Sequence, residues 1–286
     1  MVSVRIFENR PFYRLAKNSD APMANPPRLF KYEQFSVRSL QNLKNQVIYF
    51  GSPLNFNDPY DCALAPKIKL PSEEDIAKFR QQYRSDSRVS KAGREKFDKR
   101  TDKELRELVL RIGLKTLPEK IANFLAVNGV SCFSEVNDSL LMWSHYAAGG
   151  RGFCLGFRTD SSLFEKLHQV RYAKHIPEVD FVSLICDDDD QFIDLYRTKA
   201  EVWRYEKEWR CIHIEAGKEF GYDSEALTDV YFGANMPFAQ IEIISMVLAG
   251  QNKTVRLWRG VRSEAEFKVD FHRCVYATFL EAQSRE

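Results

Sequence analysis

Short apolar runs alternate with polar, turn-forming clusters along most of the chain. Val47–Phe50, Val130–Phe133, Gly152–Phe157 and Val230–Phe232 are short, apolar and rich in β-branched or aromatic residues, as buried strands are. Further strands are expected at Leu29–Tyr32, Val170–Tyr172 and Thr254–Trp258, with a strand-like piece and a charged tail in 262–286. Helices are expected at Ser39–Leu43, Ser161–Leu167, Gln191–Trp203 and Pro237–Leu248. Glu73–Tyr83, Asp102–Leu110 and Leu117–Val127 carry amphipathic helical patterns, joined by a charged, serine-bearing connection over Arg84–Lys99. The pattern predicts an α+β fold. We expect an irregular lead-in over 1–28, marked by Pro22, Pro26 and Pro27, then one domain over 29–286 with a helical insertion at about 73–127.

The stretch Gly129–Phe157 is the most structured part of this pattern. It reads as strand, polar loop, short helix, glycine turn and strand. Asn137 or Asp138 can cap the helix, and Leu140, Leu141, Trp143, Tyr146 and Ala147 give it a broad apolar face. Gly149 and Gly150 stop it. Polar residues Ser134, Glu135, Asn137 and Asp138 gather at a strand end beside a tryptophan. That composition suits a pocket wall, and it equally suits a capped helix packed on a sheet.

Composition narrows the classes. With 286 residues, 44% hydrophobic, the chain can build one large core or a core plus an appendage. A net charge of +2 provides no global field toward nucleic acid or membrane, although Arg80–Arg106 leans basic. No run of about 18 apolar residues occurs, so no membrane span is expected. The N-terminus lacks a signal-peptide apolar core, and a cytoplasmic location is expected. Six scattered cysteines without a Cys-x-x-Cys pair argue against structural zinc and a disulfide framework; Cys132, Cys154 and Cys211 read as small core residues. Asp187–Asp190 lacks the spacing of a calcium loop and reads as a solvated helix N-terminus.

Two stretches carry candidate chemistry. Asn55–Asp61 is an Asx-Pro turn whose Asp58 and Asp61 are held rigidly, either as a stiff turn or as a pocket wall. In Trp203–Ile214 the second half alternates like a strand. Glu206, Glu208 and Arg210 would then share one face, about 7 Å between successive side chains. Flanked by Trp203, Tyr205 and Trp209, they are a candidate site or a surface ladder on an edge strand. Ser144 and His145 point about 100° apart on a helix and form no nucleophile–base pair. No nucleophile elbow, P-loop or dinucleotide glycine motif is present. Asp58, Asp61, Glu135 and Glu206 around Mg²⁺ would make a nuclease, without supporting lysine spacing.

Three motifs together resemble a widespread bacterial family of unknown function whose members often occur among phage-defence and mobile-element genes. They are Phe56-Asn-Asp-Pro-Tyr-Asp61, the Cys132–Phe157 stretch, and Trp203-Arg-Tyr-Glu-Lys-Glu-Trp-Arg210, and the resemblance runs from about Lys31 to Met246. More distantly, the order of elements resembles the ADP-ribosyltransferase fold. That resemblance implies a mixed, antiparallel, split β-sheet core with flanking helices, holding NAD as substrate. It implies Glu208 as the carboxylate beside the reacting ribose and Glu206 as the residue that orients or deprotonates the acceptor. Tyr32, Ser52, Asn57, Ser134, Trp143, His145 and Arg210 would line the NAD site, with Tyr32 or Trp143 stacking on nicotinamide. The chain departs from that fold's pattern in its first motif and in having Glu135 after Ser134. A macromolecular acceptor, protein or nucleic acid, is implied. The competing class is a non-enzymatic sensor or immunity module that binds a nucleotide or a protein in the same cleft.

Overall fold

The computed structural model describes residues 25–165, 167–186 and 190–276. Asp187–Asp189, and the lead-in before residue 25, lie outside the described residues. In chain order the strands are β1 (Arg28–Glu33), β2 (Val47–Phe50), β3 (Lys67–Ile68), β4 (Gly129–Ser134), β5 (Phe153–Arg158), β6 (Leu167–Gln169) and β7 (Arg171–Ala173). They continue as β8 (Glu178–Val179), β9 (Thr198–Ala200), β10 (Glu208–His213), β11 (Lys218–Gly221), β12 (Leu227–Phe232), β13 (Arg256–Arg262) and β14 (Val269–Cys274). The α-helices are α1 (Val37–Asn45), α2 (Glu73–Ser85), α3 (Lys91–Asp98), α4 (Asp102–Val127), α5 (Leu140–Tyr146), α6 (Phe181–Cys186), α7 (Asp190–Tyr196) and α8 (Phe238–Ala249). The α+β class follows. The described chain divides into two compact units, one of 56–126 and 171–201, the other of 25–55, 127–170 and 202–276.

The second unit is built on an eight-stranded sheet in the order β14-β13-β12-β5-β1-β4-β10-β6. It is mixed: β12 and β13 run parallel, and the other neighbours are antiparallel. Alternation along each strand sends side chains to two faces. One face carries Leu29, Phe133, Phe153, Leu155, Phe157, Trp209, Val230 and Phe232, covered by Leu43 of α1 and Ile241, Ile244 and Leu248 of α8. The other carries Phe30, Tyr32, Cys154 and Tyr231 and takes Met142, Trp143 and Ala147 from around α5. Each large side chain buried here contributes about 1.5–3 kcal/mol relative to exposure. Helix α5 starts at Ser139, whose Oγ accepts from the Met142 amide at 3.4 Å, one residue beyond the expected cap. It ends in three consecutive left-handed residues, Ala148, Gly149 and Gly150, as the glycine pair predicts.

The first unit packs α2, α3, α4, α6 and α7 with two short parallel strand pairs, β3 with β8 and β7 with β9. Arg84–Lys99 is not the loose connection expected. Ser90 caps α3, accepting from the Gly93 amide at 3.2 Å, and Phe97 is buried against Tyr83 in a stacked pair at 3.9 Å. The two helices expected at Asp102–Leu110 and Leu117–Val127 form one helix through Pro118. A buried stripe from Leu105 through Ile112 and Leu117 to Phe124 continues across the proline and outweighs its lost hydrogen bond. The helix expected at Gln191–Trp203 stops at Tyr196 and gives way to β9 and a 3₁₀ turn, Glu201–Glu206. The Asn57-Asp58-Pro59 segment is the tight turn expected. The Tyr60 amide donates to Asp58 Oδ1 at 2.9 Å, the Asp61 amide donates to the Asp58 carbonyl at 3.0 Å, and Asp61 forms a buried ion pair with Lys199 at 3.2 Å.

Candidate functional site

Five of the expected site residues meet in the second unit, on the sheet face that receives α5. They are Tyr32, Ser134, Trp143, Glu208 and Arg210, with Glu206 entering beside them. Strand pairing sets their positions. Phe30 of β1 lies opposite Ser134 of β4, and Ser134 lies opposite Glu208 of β10; one step along, Arg210 lies between Cys132 and His168. Glu208 and Arg210 share this face, as strand alternation predicts. Both are buried, at 4% and 0% exposure. Their side chains form a fork, with Arg210 Nε donating to Glu208 Oε1 at 2.7 Å and Arg210 Nη2 to Oε2 at 3.0 Å. Two parallel charge-assisted bonds hold the carboxylate in one orientation.

Glu206 does not lie on that strand. It ends the 3₁₀ turn, and Lys207, at φ 43°, turns the chain through the left-handed region before β10 begins at Glu208. A lysine in that region costs about 1–2 kcal/mol. Neighbouring bonds hold it there: the Glu135 amide donates to the Lys207 carbonyl at 3.1 Å, and Ser134 Oγ donates to the Glu206 carbonyl at 2.6 Å. The Glu206 side chain is buried at 2% exposure and accepts from the Tyr146 hydroxyl at 2.5 Å. The turn thus brings a second carboxylate beneath α5 by a route that simple alternation does not describe.

The aromatic residues divide between core and rim. Trp143 is 2% exposed, with Tyr32 edge-on at 5.2 Å, Phe271 at 5.9 Å, and its Nε1 donating to the Asn137 carbonyl at 2.7 Å. The Tyr32 hydroxyl donates to the Val136 carbonyl at 2.9 Å, and burial pushes this phenol far above its usual range. Both rings are therefore core pieces that shape the wall. The rim is made by His145, exposed on α5, with the half-buried Trp203 and Tyr205 centred 6.1 and 6.3 Å from it. His145 is an expected site residue, whereas Tyr146 is not among those expected, although it follows Trp143 by three positions on the same helix. Burial raises the Cys154 thiol and pushes Cys211 up to about 12, so neither is a thiolate near neutral pH.

Within the second unit, Ser52 stands away from these residues. Gly51 bridges Val130, so Ser52 sits by the other end of β4, about 13 Å along the strand from Ser134. Asn57 is exposed and belongs to the first unit.

Fold and site together define a mixed-sheet α+β protein with two buried glutamates and a buried arginine on the sheet face that receives a short aromatic helix. Residues 142–211, from Met142 of α5 to Cys211 of β10, match the model of a family described as a protein of unknown function, DUF2971. The match begins and ends on the two elements that make the site. No curated protein and no solved structure matches the chain. No helix among the described residues is long and apolar enough to cross a membrane.

Proposed function

We propose that the chain is an NAD-dependent transferase of the ADP-ribosyltransferase type, acting at Glu208 and Glu206. The observation that carries this reading is the pair of buried carboxylates, one fixed by a guanidinium fork and one held by a tyrosine hydroxyl, beside an aromatic rim. Cleavage of the bond between nicotinamide and ribose C1′ sends the bonding electrons to nicotinamide and leaves positive charge on the sugar. A carboxylate fixed in low dielectric stabilises that charge more than the ground state. Glu208, with its orientation set by Arg210, takes this role. Glu206 accepts the proton of the acceptor nucleophile as the new C1′ bond forms, and Tyr146 stabilises its ionised form. Tyr205 and Trp203 offer the ring surfaces for nicotinamide that Trp143 and Tyr32 do not. In the phage-defence setting that the family resemblance implies, NAD consumption or modification of a macromolecular acceptor would arrest the infected cell.

The closed Glu208–Arg210 fork also favours a second reading, a module that binds a nucleotide without turnover. Incubation with biotin-tagged NAD and cell lysate separates the two. Label transfer by the wild type that is lost in Glu208→Gln supports the transferase. Saturable NAD binding without transfer or nicotinamide release selects the binding module. Absence of both rejects the site for NAD.

A further inference from the structure

A second ionic cluster lies on the same sheet face, at the β12 and β13 end. Asp229 is completely buried in the middle of the apolar run Leu227–Phe232. Its Oδ1 accepts from Trp258 Nε1 at 2.7 Å, and its Oδ2 accepts from Thr228 Oγ1 at 2.7 Å, from Arg256 Nη2 at 2.8 Å and from Arg28 Nη2. Arg28 comes from β1, two strands from β12, a reach of about 9–10 Å. The intervening position on β5 is Gly156, opposite both Asp229 and Phe30. A Cβ there would meet Asp229 Cβ at 3.2 Å and Phe30 Cε1 at 3.3 Å, so a side chain at this position would crowd the buried acid from the neighbouring strand.

Charge and exposure do not balance in this cluster. Asp229 is the one carboxylate that either guanidinium pairs with among the described residues. The Asp229 side chain is 0% exposed, whereas those of Arg28 and Arg256 are 38% and 43% exposed. Each guanidinium has five donors. Arg256 gives one to Asp229, and Arg28 gives one nitrogen to Asp229 and to Tyr231 Oη at 3.4 Å. Arg28 Nε is buried with no acceptor among the described residues. Both arginines converge on one carboxylate oxygen, so their guanidiniums are held side by side, each partly open to solvent. A third guanidinium, Arg273, lies over the Trp258 ring at 5.7 Å, and Tyr231 stacks beside that ring at 6.0 Å. The indole is thus flanked on both neighbouring strands, beside the two arginines that hold Asp229.

We infer that Arg28 and Arg256, organised by buried Asp229, form an oxyanion site that takes a diphosphate group. Paired planar forks match the oxygens of a diphosphate, and a buried counter-carboxylate fixes their geometry without cancelling both charges. The site is independent of the transferase reading; only the choice of a nucleotide as the physiological bearer of the diphosphate rests on it.

The test is titration of the whole chain with inorganic pyrophosphate and with ADP, followed by calorimetry and tryptophan emission. Saturable binding of both ligands is expected, weakened at least tenfold in Arg256→Gln and retained in Glu208→Gln. Retention in Glu208→Gln together with loss of NAD turnover would separate this site from the transferase site. Should Arg256→Gln fail to fold, the wild type decides: pyrophosphate must change the emission, and Trp258→Phe must abolish that change. Equal binding by wild type and Arg256→Gln, or no saturable binding of pyrophosphate and ADP by the wild type, overturns the inference. Preference for ADP over pyrophosphate with the same Arg256 dependence identifies a nucleotide as the source, and equal affinity identifies the diphosphate alone.

Discussion

The two ionic clusters on one sheet face solve the burial of charge in opposite ways. At the β10 end, Glu208 and Arg210 are both sealed and are joined in a two-bond fork. At the β12 end only the acid is sealed, and its two arginines stay half in solvent. A fully buried pair pays desolvation on both partners and depends on each to stay. A half-open pair keeps hydration, tolerates loss of one arm and has donors left for a ligand. Position in the sheet underlies the difference. The fork joins two residues of one strand, β10, with β4 and β6 on either side, whereas Arg28 reaches Asp229 from two strands away.

Breaking each cluster in turn makes the comparison quantitative. Arg210→Met leaves Glu208 buried without its fork and is expected to destabilise the chain by about 3–5 kcal/mol. Arg256→Gln removes a half-exposed arm and costs about 1 kcal/mol or less. Denaturant unfolding of both variants checks the ratio, and comparable losses would refute the sealed-versus-open distinction. Gly156→Ala places a methyl group against Asp229 Cβ and the Phe30 ring and is expected to cost about 1–3 kcal/mol while weakening pyrophosphate binding. Unchanged stability and binding would show that the Asp229 cluster does not need the space at Gly156.

A smaller effect probes the turn that delivers Glu206. Lys207→Gly removes the left-handed penalty and should stabilise the chain by about 0.5–1 kcal/mol, whereas Lys207→Val should destabilise it by at least that amount. Equal melting temperatures for all three forms would contradict the assigned backbone strain. The smallest effect concerns Glu33 at the end of β1. Burial raises its carboxyl above the usual value of 4.5, with Lys31, 3.9 Å away, opposing the shift. Because the folded value is the higher one, stability from this group is complete below the unfolded value and declines as pH rises through the folded value. Glu33→Gln should therefore gain on the wild type at neutral pH, and the gap should close below about pH 4. A gap that widens in acid would reverse the assigned sign.

Much of the fold was legible because it is local. The VIYF run forms β2 over Val47–Phe50 as its apolar, β-branched character predicts, and the Gly149-Gly150 pair ends α5. The Asx-Pro turn at Asp58 follows from the same short-range chemistry. Long-range effects were not legible. Pro118 reads as a break until the buried stripe of α4 is seen to continue past it. Glu206 reads as a strand residue because nothing in Glu-Lys-Glu announces that Lys207 turns left-handed. Asp229 did offer a signal, a lone acid inside an apolar strand. Its partners lie 201 positions away at Arg28 and 27 positions away at Arg256, and only the sheet order brings them together. The site was half readable for the same reason. Glu208 and Arg210 follow from alternation and His145 is expected beside them, whereas the grouping of His145 with Trp203 and Tyr205 needs the helix and the 3₁₀ turn placed side by side.

The central claim is that Glu208 acts on the nicotinamide–ribose bond, and chromatographic measurement of free nicotinamide tests it most directly. Purified wild type incubated with NAD and an acceptor-containing lysate should release nicotinamide continuously. Folded Glu208→Gln should release it at least a hundredfold more slowly, with about 2.7 kcal/mol of transition-state stabilisation lost. Wild-type release no faster than that of the variant would contradict the account.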